Sequence, residues 1–203
     1  ADVHIDSRRV ANGHLFVAMR GTQVDGHKYI KSAIDKGAVA VVCEQLPEVL
    51  AEGVTYVRVA NSEEVVGPIA TAFNGFPTEK VRLVGVTGTN GKTSTTLILK
   101  SVLEKTVGAK VGLIGTIENM IGETVIPTER TTPESFELQG LFARMRDAGC
   151  THVVMETSSH ALYEGRTHGI RFDVGNEVSH RFLQYMNRRL KALNPELFLL
   201  GEI

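Results

Sequence analysis

The string Gly88–Thr93, "GTNGKT", gathers the residue types that handle phosphate. Turn glycines let backbone N–H groups converge on anionic oxygens. Lys92 can place a point charge on terminal phosphates, and Thr93 can offer a hydroxyl to Mg2+. The nucleotide-binding set read here is Gly88, Thr89, Asn90, Gly91, Lys92, Thr93 and Ser94. The longer pattern G-x-x-x-x-G-K-[ST] requires Gly at position 86, where this chain has Val86, so the match is to the shorter core G-x-x-G-K-T. A GTPase or a kinase uses the same cradle, so the loop names a nucleotide and not a reaction.

Glu156 is the second group with chemistry. It closes the apolar run "THVVM" just before "TSSH". In open α/β sheets ligands gather at the carboxyl ends of strands, and an acid there can hold Mg2+ beside a phosphate loop. Ser158, Ser159 and His160 stand at the same rim, where His160 either orients the loop or binds. In "ERTTPES", Glu129–Ser135, Thr131 and Thr132 either cap a helix or bind anions, and Pro133 suits a first helical turn. In "DSRRV", Asp6–Val10, residue type alone leaves open whether Ser7 is a cap and whether Arg8 and Arg9 are surface charge.

The elements that would carry these groups alternate along the chain. Apolar runs of strand length fall at 3–5, 15–19, 38–44 and 54–60, with helical spacing in "GHKYIKSAIDKGA" and "SEEVVGPIATAF". Ser62, followed by acidic residues, marks the start of the second of these helices. "NGFPTEK" has the turn composition of a linker. Beyond it, "VRLVGVTG", "AKVGLIGT" and "THVVMETS" read as buried strands. "TSTTLILKSVLEKTVG" and "SFELQGLFARMRDAG" read as helices with glycine stops. The fold class expected is therefore α/β. A small mixed α/β N-terminal domain (1–76) precedes a P-loop central domain with a mostly parallel sheet, truncated at 77–170, and a βα-β tail covers 171–203.

Composition bounds the partners. The formal net charge is −1 and 42% of the residues are hydrophobic, which argues against a polyanion-binding surface. No nucleic acid and no membrane partner are expected. Cys43 and Cys150 lie in apolar strings and read as buried thiols; with no signal peptide evident, a reducing cytoplasmic setting is expected.

Taken together, "DSRRVANGHLFVAMRGTQVDGHKYIKSAIDKGAVAVV", "GVTGTNGKTSTT", "TTPES", "METSSHAL" and "GRTHGIRFDV" resemble the Mur ligase family, over about residues 2–170. The "TTPES" and "METSSHAL" pair points to the branch that adds the third amino acid to UDP-N-acetylmuramoyl-L-alanyl-D-glutamate in peptidoglycan synthesis. The resemblance implies an ATP-dependent ligase in which ATP and Mg2+ activate a carboxylate as an acyl phosphate and an amine attacks it. It implies that Lys92 and Glu156 are catalytic and that Thr93 and Glu156 hold Mg2+. Ser7 would contact the uridine nucleotide, and Thr131, Thr132, Ser158 and Arg166 the muramoyl-peptide. The partners implied are UDP-N-acetylmuramoyl-dipeptide and an amino acid. Past "RFDV" the family pattern runs on to "FTNL", "DHLD" and a carbamylated Lys, whereas this sequence reads "GNEVSHRFLQYMNRRLKALNPELFLLGEI". His180 is out of register with the family's metal-binding His, and Lys191, in "RRLKALNPE", is not identified by its context as the carbamylated Lys.

That tail is similar instead to the α-amylase superfamily, in its neopullulanase and cyclomaltodextrinase branch. By position Asp173 would be the nucleophile, Glu202 the general acid and Arg171 its neighbour, the carboxylate pair of retaining glycoside hydrolysis. The two resemblances meet in "RFDV", which both patterns accept. The readings held open are the ligase, a glycoside hydrolase acting on α-glucans, and a nucleotide-binding module without turnover.

Overall fold

The computed structural model describes residues 2–20, 24–88, 90–128 and 130–174. They form two compact units, Ala1–Phe76 and a second that begins at Pro77.

The first unit carries β1 (Val3–His4), β2 (His14–Val17), β3 (Ala38–Cys43) and β4 (Thr55–Arg58), in a parallel four-stranded sheet of that order. A 3-10 turn at Gly26–Tyr29 leads into α1 (Ile30–Asp35), and α2 spans Ser62–Phe73. Phe16, Ala18, Ile30, Ala33, Val41 and Cys43 bury against one another. Parallel strands need crossovers, and α1 supplies the one between β2 and β3. The cap of α2 is Asn61, whose side chain accepts from the N–H groups of Glu63 and Glu64. Ser62, expected at that place, turns inward: its N–H and hydroxyl both donate to Glu44 Oε1, at 3.0 and 2.8 Å.

The second unit carries β5 (Arg82–Val86), α3 (Lys92–Val107), β6 (Val111–Ile114), β7 (Asn119–Ile121), β8 (Thr124–Ile126), α4 (Ser135–Asp147), β9 (His152–Glu156) and α5 (Ser159–Tyr163). The sheet order is β5-β9-β6-β7-β8. The first three strands are parallel, and β7 and β8 add an antiparallel hairpin. Alternation along β9 divides the core between the two faces of the sheet. Val153 and Met155 join Leu83, Leu138 and Phe142 on the face covered by α4. Val154 joins Val86, Leu113 and the half-buried Leu99 and Leu103 on the face covered by α3. The helix read in "SFELQGLFARMRDAG" starts at Ser135, after Glu134, whose N–H reaches the Glu137 carboxylate at 3.4 Å, so Pro133 precedes its first turn. Cys43 and Cys150 are buried free thiols, and burial raises the pKa of both.

Candidate functional site

The phosphate-type loop leaves β5 at Val86 and enters α3 at Lys92. Gly88 has φ 135° and Gly91 φ 75°, backbone conformations that side-chain-bearing residues rarely adopt. Gly91 stands at the N-cap of α3 and, having no side chain, leaves the first-turn N–H groups without a side-chain cap of its own. A helix start of this kind favours an anion through its N–H groups and its dipole. Lys92 Nζ donates to the Gly88 carbonyl at 2.7 Å, folding the ammonium back over the loop. Thr93 is half-buried, Ser94 and Asn90 are exposed, and Thr89 lies outside the described residues.

Glu156 ends β9 opposite Val86 of β5, and Thr157 N–H donates to the Val86 carbonyl at 2.8 Å. By alternation with Val154 its side chain emerges on the α3 face. Its residue is 1% exposed. Both carboxylate oxygens meet Thr116, which follows β6: the Thr116 N–H donates to Oε1 and its hydroxyl to Oε2, each at 3.0 Å. Among the described residues Glu156 has no ion-pair partner, so the carboxylate is buried among neutral donors. Such a carboxylate is costly to bury unless a cation accompanies it. Residues of this kind fit Mg2+, which commonly takes one or two carboxylates and fills its remaining positions with phosphate oxygens and water. Among the described residues no group of three or more His, Cys, Asp or Glu side chains forms an all-protein metal cage.

The Thr131–Thr132 pair lies beside this carboxylate. Thr131 Oγ1 is 3.1 Å from Thr116 Oγ1. Thr116 owns a single hydroxyl proton, so with that proton on Glu156 the Thr131 hydroxyl donates to Thr116 and keeps only acceptor capacity outward. Thr132 is 1% exposed; its hydroxyl donates to the Glu156 carbonyl at 3.0 Å and accepts from Ser158 N–H at 3.2 Å. Both of its hydrogen-bonding roles are spent on tying this loop to β9. Ser158 Oγ accepts from Ala161 N–H at 3.1 Å as the N-cap of α5. Arg166 Nη1 donates to the Thr132 carbonyl at 3.0 Å, and its guanidinium also pairs with Glu134 and Glu164. Glu134 pairs with Arg130 in addition. His160 is exposed and pairs with Glu164 at 2.9 Å along α5. Thr131, Thr132, Ser158, Arg166 and Glu156 therefore form one hydrogen-bonded neighbourhood. Thr116 was missed from sequence, although a Thr closing a buried strand is the same signal that marked Glu156.

Ser7, in the first unit, is 7% exposed, and its carbonyl accepts from Lys36 Nζ at 3.2 Å. The turn around it is closed by Asp6, which pairs with Arg8 at 2.7 Å and is thereby held down at a pKa of about 2.

In the tail, Asp173 turns toward β5: its N–H donates to the Leu83 carbonyl at 2.9 Å and its Oδ2 accepts from Leu83 N–H at 2.8 Å. Val174 forms a parallel bridge with Val84. One carboxylate oxygen of the expected glycosidase nucleophile is thus engaged by a strand backbone. Arg171 is exposed, its N–H 3.5 Å from the Thr78 hydroxyl, and Phe172 packs on the core of the second unit with Ile170. Glu202 lies outside the described residues, as does the rest of the expected α-amylase-like segment beyond Val174.

A model of the Mur ligase family catalytic domain matches residues 2–74, and a model of the Mur ligase middle domain matches residues 86–179. The second match runs through "RFDV" and beyond it. The UDP-N-acetylmuramoyl-L-alanyl-D-glutamate--2,6-diaminopimelate ligase of Bacteroides fragilis is 54% identical over 173 residues, covering 85% of this chain and 36% of that protein. The ligase of the same name from Clostridium tetani is 45% identical over 176 residues, covering 86% of this chain and 36% of its own length. The chain thus spans little more than a third of the curated relatives it matches. Among solved structures, a UDP-N-acetylmuramoyl-L-alanyl-D-glutamate--2,6-diaminopimelate ligase superposes with a TM-score of 0.71 at 22% identity, over 95% of this chain and 40% of that one. The MurF ligase of Thermotoga maritima in complex with ADP superposes with a TM-score of 0.52 at 26% identity, over 78% of this chain and 32% of that one.

Proposed function

The chain belongs to the Mur ligase family, and from that membership we propose that it provides the nucleotide-binding and muramoyl-substrate-binding part of an ATP-dependent amide ligase. The reaction proposed is addition of the third amino acid to UDP-N-acetylmuramoyl-L-alanyl-D-glutamate. The names of the relatives make 2,6-diaminopimelate the first amino acid to test. The observation that carries the reading is the buried Glu156 carboxylate, without a cationic partner among the described residues, at the carboxyl end of β9 and in register with Val86, where the loop to α3 leaves β5.

When bound, ATP with Mg2+ would supply the phosphoryl group that activates the substrate carboxylate. The part of this chain in that chemistry is charge and position. The first-turn N–H groups of α3 and the Lys92 ammonium would hold phosphate oxygens, with Lys92 exchanging the Gly88 carbonyl for phosphate. Thr93 and Glu156 would fix the ion. Thr131 and Ser158 would meet the muramoyl-peptide, and Arg166 would hold the Thr132 backbone beside it. Ser7 would serve the uridine nucleotide from the first unit.

Calorimetry of the chain with MgATP tests the reading. Lys92→Ala removes a charge-assisted hydrogen bond worth about 1.5–3 kcal/mol, so affinity should fall roughly ten- to hundred-fold. The same affinity in the parent and Lys92→Ala would remove the loop from nucleotide binding.

A further inference from the structure

The geometry points to Thr116 as the positioning residue that seats the Glu156 carboxylate, with Gly115 clearing the space the carboxylate occupies. The inference rests on the reading of Glu156 as the acid that binds Mg2+, and extends it to a residue that touches neither nucleotide nor substrate in that reading. Thr116 N–H and Thr116 Oγ1 meet Oε1 and Oε2 separately, each at 3.0 Å. Two donors from one residue fix both the place and the plane of the carboxylate. An ionised carboxylate offers about four lone-pair sites, so each oxygen keeps one for an ion.

Gly115 supplies independent support. A Cβ built on it would stand 2.8 Å from Glu156 Oε1, so any side chain at position 115 would displace the carboxylate. The Gly115 N–H is held in turn by Asn119 Oδ1 at 3.2 Å, and Asn119 is 3% exposed, which ties the end of β6 to β7. Thr116 itself is exposed while Glu156 is buried. An exposed hydroxyl adds little to folding on its own, so its two-point grip is better matched to aiming the carboxylate than to holding the fold.

The experiment measures ATP binding to the full chain by calorimetry across a series of Mg2+ concentrations, with thermal unfolding in parallel. Partners that orient a metal ligand typically cost roughly 10- to 100-fold in metal affinity when removed, and Thr116→Val should raise the Mg2+ requirement by that factor. Thr116→Ser keeps both donors and should stay close to the parent. Thr116→Ala removes the hydroxyl without adding an apolar branch and should repeat the loss, which keeps the test decisive if the Val variant does not fold. ATP binding without Mg2+ should be unchanged in all three. Glu156→Gln separates the two ideas. A Mg2+ dependence unaltered in Glu156→Gln overturns the metal reading itself. A loss in Glu156→Gln, with Thr116→Val and Thr116→Ala both like the parent, overturns the positioning role alone.

Discussion

The Thr157 hydroxyl is fully buried and has no hydrogen-bond partner among the described residues, although its own N–H is well paired with Val86. Leaving a buried hydroxyl unsatisfied costs about 1–3 kcal/mol, while an apolar group of the same shape is close to neutral there. Thr157→Val should therefore raise the urea midpoint of unfolding. A lower midpoint would mean that the hydroxyl is satisfied in solution. The neighbouring Thr132 is the opposite case, since both roles of its hydroxyl are used. Thr132→Val should destabilise by about 1–3 kcal/mol, because it strands the Ser158 N–H and the Glu156 carbonyl together. Thr132 bonds the backbone of the two residues that flank Thr157, and the two threonines differ in whether the hydroxyl finds partners, a distinction that residue type alone does not carry.

At the scale of elements, α2 shows how a partner elsewhere in the chain decides a local choice. Asn61 and Ser62 are both good capping residues, and both precede Glu63 and Glu64. Glu44, brought up by the end of β3, takes the Ser62 N–H and hydroxyl, and Asn61 is left to cap. Asn61→Ala should cost about 1 kcal/mol, and Asn61→Ser should recover most of it, measured by urea unfolding. Equal costs for the two would return the cap to another group. The long apolar runs of β3, β5, β6 and β9 and the helices α3 and α4 are legible from periodicity and glycine stops. The β7–β8 hairpin is not: its strands are three residues each, half-exposed, and joined through Gly122 at φ 60°. Thr116 escapes for a topological reason. β9 inserts between β5 and β6, so Glu156 meets a residue forty positions earlier, and chain order does not state that insertion. The neighbours Thr131, Thr132, Ser158 and Arg166 could be gathered only through family motifs, since their spacing has no period of its own.

At the scale of the whole chain, each unit builds a core from its own residues, so each can answer a different variable. The first unit buries His4 to 6% exposure, with its ring centroid 5.0 Å from that of His14. Burial lowers the His4 pKa below 6.5; Asp2 and Asp6 oppose this, and His14 and Arg9 add to it. A folded value below the unfolded one means that the unfolded chain takes the proton first. The stability His4 contributes is thus present above pH 6.5 and is lost as pH falls from there through its folded pKa. The Asp6–Arg8 pair acts in a lower window: Asp6 contributes above pH 3.8, and its share is lost as pH falls through about 2. The second unit should respond to nucleotide, since a ligand that binds only the folded form stabilises it by RT ln(1 + [L]/Kd). Amide exchange reads both responses, as protection factors corrected for pH. Between pH 7 and pH 5.5, protection should fall in β1 and β2, and His4→Phe should flatten that fall. MgATP at constant pH should raise protection at the start of α3 and along β9, and Lys92→Ala should reduce the gain. An acid response in β1 and β2 that survives His4→Phe would assign it to another group. MgATP protection absent from α3 and β9 would leave the phosphate loop without its ligand.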